Sequence, residues 1–258
     1  MKFLFLLFIT CLPPALLAQD LKPIEQELLQ HLNKIENWQG YYGTEKKLLA
    51  LDSLIQENYI FKTKMLRYTS DHPSTISYAF KDLQTKGLSI ATSADGKLRI
   101  YSWNTQLGGT MQHFENVYQF SNGKKARSPK RQEGDPGTWF SEIFTLNTKS
   151  GTVYLGYFHA IYSTKEAYQG IKLFSIDGSL LNDTLSLIKT ETGIRNEVGC
   201  DFDFFSVVDR KERPVKLIYF DDTSKILKIP VVTDKGKVTN KFITYKFTGM
   251  YFEEQLNK

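Results

Sequence analysis

The chain has 258 residues, with 33 lysines and arginines against 28 acids for a formal charge of +5, and 41% of its residues are apolar and 14% aromatic. That length and aromatic content can bury one sizeable core. The weak positive balance excludes the concentrated basic field of a dedicated nucleic-acid binder, and two cysteines, Cys11 and Cys200, exclude a disulfide framework.

Lys2 precedes an unbroken apolar run at residues 3–9, followed by Thr10, Cys11, a Pro13-Pro14 break and Ala15-Leu16-Leu17-Ala18. A basic start, a short apolar stretch and a small residue before Gln19 predict a signal peptide cleaved after Ala18, and the stretch is too short for a membrane span. The mature chain is then periplasmic or secreted and has no transmembrane segment. Leu16 is larger than the small residue usual three positions before a cut. Lipidation at Cys11 is disfavoured, because Thr10 stands where Gly, Ala or Ser is usual. Removing residues 1–18 takes one lysine and no acid, leaving +4 and Cys200 alone. No intramolecular disulfide can then form, so stability must come from burial.

Between residues 20 and 37, Leu21, Ile24, Leu28, Leu32 and Ile35 recur every three or four positions, which predicts an amphipathic helix. Residues 39–43 form a link. Thr44 is placed to cap a second helix carrying Leu48, Leu51, Leu54 and Ile55 to about Tyr59, antiparallel to the first. A separate helical turn is expected at 61–67, ended by Asp71-His72-Pro73.

Beyond Ser74 the apolar period changes to two. Strands are predicted near 76–80, 88–94, 97–104, 110–120, 138–147, 151–162, 171–176, 179–189, 201–208, 215–221, 225–232 and 237–247. Turn signals separate several of them, at Asn122-Gly123, 147–151, Asp177-Gly178, Asp221-Asp222 and Lys235-Gly236. The fold class is mainly β with an N-terminal α-helical segment: an antiparallel meander, whether sandwich, barrel or propeller-like, and not a parallel α/β sheet. The organisation reads as a signal peptide over 1–18, a helical segment over 19–72 and a β domain over 73–258. Ser175-Ile176-Asp177-Gly178 echoes Ser93-Ala94-Asp95-Gly96 and marks shared hairpin chemistry rather than a repeat. Strand 151–162 is apolar on both faces, with Tyr154, Phe158 and Tyr162 on one and Val153, Leu155, Tyr157 and Ile161 on the other, and is therefore central. Pro230 puts strand 225–232 at an edge or a bulge.

Asp95-Gly96 is the strongest hairpin signal, and a two-residue type I′ turn there pairs Ala94 with Lys97, Thr92 with Arg99, Ile90 with Tyr101 and Leu88 with Trp103. One face is then Leu88, Ile90, Tyr101 and Trp103; the other carries Ala91, Leu98 and Ile100. Apolar residues on both faces predict a hairpin inside a larger sheet. With this hairpin, the stretch Tyr101-Ser102-Trp103-Asn104-Thr105-Gln106-Leu107-Gly108-Gly109-Thr110 resembles one in uncharacterised secreted proteins of Gram-negative bacteria, in which Asp stands where this chain has Asn104. The resemblance covers the central and C-terminal parts of the chain. It implies an exported protein and supplies no mechanism.

The candidate sites each have a plainer account. Trp103, with Tyr101 beside it and Gly108-Gly109 after it, could offer a ring for stacking against a sugar, although aromatics in β proteins mostly fill cores. His113 and Glu115, two apart on a strand, could form an acid-base pair or half of a metal site, and a solvated pair explains the same spacing. Glu197, Asp201 and Asp203 are the one carboxylate cluster, suited to glycoside hydrolysis or Ca²⁺, or simply the wet face of a strand backed by Phe202 and Phe204. Lys124, Lys125, Arg127, Lys130 and Arg131 read as a solvated loop that could meet lipid headgroups, acidic glycans or another protein. His159, among apolar neighbours, reads as a core imidazole, and Cys200 as a small buried residue. No nucleophile elbow, cofactor motif or complete metal-ligand set is present. The expectation is an exported envelope protein that binds a protein or glycan partner without turnover and without a cofactor. The alternative is an extracytoplasmic carboxylate hydrolase using Asp201, Asp203 and Glu197.

Overall fold

The computed structural model describes residues 20–41 and 43–255, so the signal-peptide reading lies outside the described residues. Two helices lead: α1 (Lys22–Gln39) and α2 (Lys47–Asp71). α1 buries Leu28, Leu32 and Ile35, the stripe read from the sequence. α2 is one continuous helix, which corrects the separate turn expected at 61–67: Phe61 and Met65 fall on the face already buried through Leu54. Thr44 does not cap it. Lys46 occupies the cap position, while the Thr44 hydroxyl donates to the Tyr41 carbonyl at 2.8 Å.

The strand expected at 76–80 is absent. Pro73–Ile76 forms a 3₁₀ turn, Phe80 takes left-handed backbone angles (φ 47°, ψ 47°), and α3 (Lys81–Thr85) follows. Alternation in this stretch places Tyr78 and Phe80 edge to face at 4.8 Å, anchoring the connection without a ladder.

The rest folds into three sheets. The first has order β1-β2-β3-β4 and comprises β1 (Ser89–Thr92), β2 (Arg99–Asn104), β3 (Phe114–Phe120) and β4 (Lys125–Arg127). Its hairpin keeps the expected register, with Thr92 opposite Arg99 and Ile90 opposite Tyr101. The turn is of another type, since only Gly96 of the Asp95-Gly96 pair has positive φ, and Gly96 N donates to Ser93 O. β1 is the outer strand of this sheet, not an inner one; its two apolar faces arise because layers cover both sides.

The second sheet is built from β5 (Trp139–Thr148), β6 (Gly151–Ile161), β7 (Glu166–Asp177), β8 (Leu180–Asn182) and a later strand, and β6 lies inside it as expected. The third sheet begins with β9 (Ile188–Thr190) and β10 (Gly193–Arg195). The chain then returns to the second sheet as β11 (Glu197–Asp203), outside β7, giving the order β11-β7-β6-β5 with β8 also on β7. β12 (Tyr219–Asp221), β13 (Ile226–Val232), β14 (Val238–Phe247) and β15 (Phe252–Glu254) complete the third sheet in the order β10-β9-β15-β14-β13-β12. The single strand expected at 179–189 is thus two. The register slips between Pro230 and Val232, the bulge that Pro230 announced.

The protein is a stack of four layers, one helical and three of sheet, in a sandwich-like arrangement. Between helices and first sheet lie Leu32, Leu54, Phe61, Met65, Tyr101 and Trp103. Between first and second sheets lie Ile100, Tyr118, Phe140, Tyr154, Phe158 and Phe174. Between second and third lie Leu155, Tyr157, Ile171, Leu173, Leu227 and Tyr245. Alternate residues of β6 thus serve two different cores, which is why that strand is apolar throughout.

Candidate functional site

Trp103 is 2% exposed and Tyr101 0%. The expectation of an accessible ring beside Gly108-Gly109 is therefore corrected: the indole is enclosed between α2 and β2, edge-on to Phe61 at 4.9 Å, with Nε1 donating to Asn58 Oδ1. The Tyr101 hydroxyl lies 2.8 Å from Gln119 Oε1 and 3.0 Å from the Thr75 carbonyl, and burial pushes its pKa up to about 12. Both residues hold helices to sheet. Glu115 is engaged by Lys62 at 2.9 Å and lies 3.7 Å from Arg131, while the His113 carbonyl accepts from Thr105 N and Oγ1. Among the described residues no group of three or more His, Cys, Asp or Glu could hold a metal ion.

The carboxylate cluster divides. β11 begins at Glu197 and ends at Asp203, and 204–207 form a 3₁₀ turn where strand was expected. Asp203 caps that turn by accepting from Phe205 N at 2.9 Å. Glu197 and Asp201 share the other purpose of the strand. Both line a cleft of 390 Å³ at the open mouth of the layer between first and second sheets.

Its floor is aromatic and flat for a local reason. A Cβ on Gly170 would come within 2.6 Å of the Phe158 ring and 2.8 Å of the Tyr168 ring, and one on Gly199 within 2.6 Å of the Tyr168 hydroxyl. With no side chain on either glycine, Tyr168 lies across β7 and β11, stacked with Phe158 at 5.7 Å and 29°. Burial raises the Tyr168 phenol pKa, and the charges of Glu197 and Asp201 raise it further, so it stays protonated as a donor. Tyr162, 37% exposed, stands beside it.

The rim carries both signs. Lys172 Nζ is 3.7 Å from Glu197, Asp135 accepts from Gly137 N, and the Arg131 guanidinium donates to the Phe114 carbonyl. Of the basic run, Lys125–Arg127 is strand β4 rather than loop, Arg127 pairs with Asp183 at 2.9 Å, and only Lys130 and Arg131 reach the cleft. Asp201 is exposed and also lines a neighbouring hollow of 540 Å³ with Tyr162, Lys165 and Asp203. Tyr162, Tyr168, Lys172, Lys130 and Arg131 were not grouped with the acids by sequence reasoning. The clue present was glycine alternating with aromatic residues at Tyr168-Gln169-Gly170, and the partner strand it lies against is set only by topology.

Elsewhere, His159 is 5% exposed, stacked on Trp139 at 4.1 Å, with Nε2 2.8 Å from Ser141 Oγ; burial drives its pKa down to about 3. Burial pushes the Cys200 thiol up to about 12, far from thiolate reactivity. No helix among the described residues is long and apolar enough to cross a membrane. Comparison with protein-family models, curated proteins and solved structures finds no match to this chain.

Proposed function

We propose that this is an exported envelope protein that works by binding a macromolecular partner at the cleft beside β11, without turnover. The observation that carries the reading is the open Asp201 carboxylate at the rim of a cleft floored by the stacked rings of Tyr168 and Phe158. Flat aromatic surface with a few polar groups around it is the usual make-up of a recognition site. Export is supported by residues 1–18, whose pattern is that of a cleaved leader, and by the resemblance around Trp103.

The second reading, a carboxylate hydrolase, is favoured by Glu197 and Asp201 opening on one cleft. Against it, Glu197 lies near Lys172, and Asp203 is committed to capping.

Thermal shift of the chain starting at Gln19 tests the binding reading, against oligosaccharides, Ca²⁺ and basic peptides. A ligand held by the native state at a hundredfold its Kd adds about 2.7 kcal/mol, several degrees of Tm for a domain of this size. A flat response to all three classes overturns the reading. Turnover of an oligosaccharide that disappears in Asp201→Asn replaces it with the hydrolase.

A further inference from the structure

β11 is an outer strand, and among the described residues its one ladder partner is β7. In an antiparallel pair, the backbone groups of alternate residues point toward the partner and those between point away. The phase is fixed at both ends of β11. Asn196 O accepts from Leu173 N of β7 at 2.8 Å, while Asp203 N turns the other way and donates to Gly236 O at 2.8 Å. Even-numbered residues therefore serve the ladder, and the N–H and C=O groups of Glu197, Gly199 and Asp201 face outward. A bare edge of this kind is a template for another strand. Space for one lies alongside. Three hollows of 700, 390 and 540 Å³ follow β11, the first two sharing Tyr168 and Glu197, the last two sharing Tyr162 and Asp201.

We infer that β11 is the docking edge for an extended peptide segment, which joins the second sheet as an added strand and carries basic residues at two positions four apart. The inference rests on the binding reading above and names the partner. Side chains directly opposite in a strand pair share a face and interact. Partner residues opposite Glu197 and Asp201 project into the aromatic cleft beside those carboxylates. Asp201 has no ion pair among the described residues and favours lysine or arginine, while Glu197, 3.7 Å from Lys172, shares its charge between that lysine and the incoming base. The residue opposite Gly199 meets no β11 side chain and lands beside the Tyr168 hydroxyl. Residues opposite Val198 and Cys200 face the third sheet, where Ile243 and Tyr245 of β14 line the 700 Å³ hollow, and there apolar side chains fit. The recognised pattern is basic, apolar, any, apolar, basic.

Charge also decides against the simplest competitor, a second copy. Antiparallel pairing of β11 with itself about Gly199 sets Glu197 against Asp201 of the copy at both ends, and directly opposed like charges are destabilising. The same acids that block self-association admit a basic strand.

The test uses fluorescence anisotropy of the chain from Gln19 with a labelled, end-blocked peptide, Gly-Ser-Lys-Val-Thr-Val-Lys-Ser-Gly. Saturable binding is expected, weakened about tenfold or more when both lysines become glutamate. That ranking should reverse against the double variant Glu197→Lys, Asp201→Lys. N-methylation at the threonine blocks a ladder donor and should abolish binding, whereas N-methylation at a valine, whose amide points away from β11, should change it less than about twofold. Absence of saturable binding overturns the inference, as does equal tolerance of the two methylations, which places the peptide in the cleft outside the sheet. An oligosaccharide thermal shift without peptide binding overturns strand addition and leaves the binding reading standing. A flat response to both, with none to Ca²⁺, overturns the two together.

Discussion

Asn58 on α2 and Trp103 on β2 are joined in the core by a 3.1 Å hydrogen bond from the indole Nε1 to the amide Oδ1. The Asn58 amide nitrogen donates in turn to the carbonyls of Leu54 and Thr105, both at 2.8 Å. One side chain thus satisfies a buried indole and the buried carbonyl of the residue that follows β2, and fixes the helix against that strand. Asn58→Leu fills similar volume but leaves the Trp103 N–H and the Thr105 carbonyl unpartnered away from water. We expect a loss of about 2–4 kcal/mol, seen as a lower urea midpoint at unchanged m-value. A change below about 0.5 kcal/mol would show that these groups find water instead.

Two glycines of the second sheet, Gly170 under the aromatic floor and Gly156 deeper in the core, give a second expectation. Gly156 sits where a Cβ would come within 2.9 Å of both Phe140 and Phe174, and Gly170 where it would meet Phe158 and Tyr168. Phe140, Phe158 and Phe174 are close-packed between two sheets, and Tyr168 is seated on them at the mouth of that layer. Gly170→Val should cost about 1–3 kcal/mol through overpacking and tilt the Tyr168 ring, so its stability loss is accompanied by altered near-UV circular dichroism. An unchanged tyrosine signal would mean that the ring is not seated on that glycine.

The hairpin at Asp95-Gly96 was legible because turn chemistry sets register, and register sets faces. Ile90 opposite Tyr101, with Ala91 and Ile100 on the reverse side, followed directly. The same logic marked β6 as apolar on both sides. What local pattern does not carry is which sheet a strand joins. β9 and β10 pass to the third sheet while β11, two residues after β10, returns to the second, and that return brings Glu197 and Asp201 over Tyr168. Trp103 was misread because glycines that follow a tryptophan say nothing about the helix lying across it. The stretch 76–80 alternates like a strand, yet Pro73 and the left-handed Phe80 turn it into a connection.

Asp201 and Asp203 are two residues apart and should answer differently to substitution. Asp203 accepts from Phe205 N at the start of the 3₁₀ turn, and loss of such a cap costs about 1 kcal/mol. Asp201 accepts from no group among the described residues, so Asp201→Asn should leave stability within about 0.5 kcal/mol of the parent. Urea titration of Asp203→Ala and Asp201→Asn side by side checks this. A larger loss at Asp201 than at Asp203 would reverse the division of labour argued for β11.

His159 supplies a pH dependence whose sign follows from its surroundings. Enclosed between Trp139 and Tyr157, the imidazole has its pKa lowered to about 3 by burial, against about 6.5 in the unfolded chain. Between those values the unfolded state binds a proton that the folded state does not, so stability rises with pH across this window. The contribution of the neutral ring is fully present above about pH 6.5 and is lost as pH falls toward 3, with a slope of up to about 1.4 kcal/mol per pH unit. Carboxylates titrate over part of the same range, so one curve alone cannot assign the slope. His159→Gln removes this proton site and keeps a polar group within reach of Ser141. Stability measured by urea unfolding from pH 7 to 4 should fall more steeply in the parent than in His159→Gln, with the two curves converging on the acid side. Parallel curves would place the His159 pKa near its ordinary value and require that water reaches the ring past Trp139.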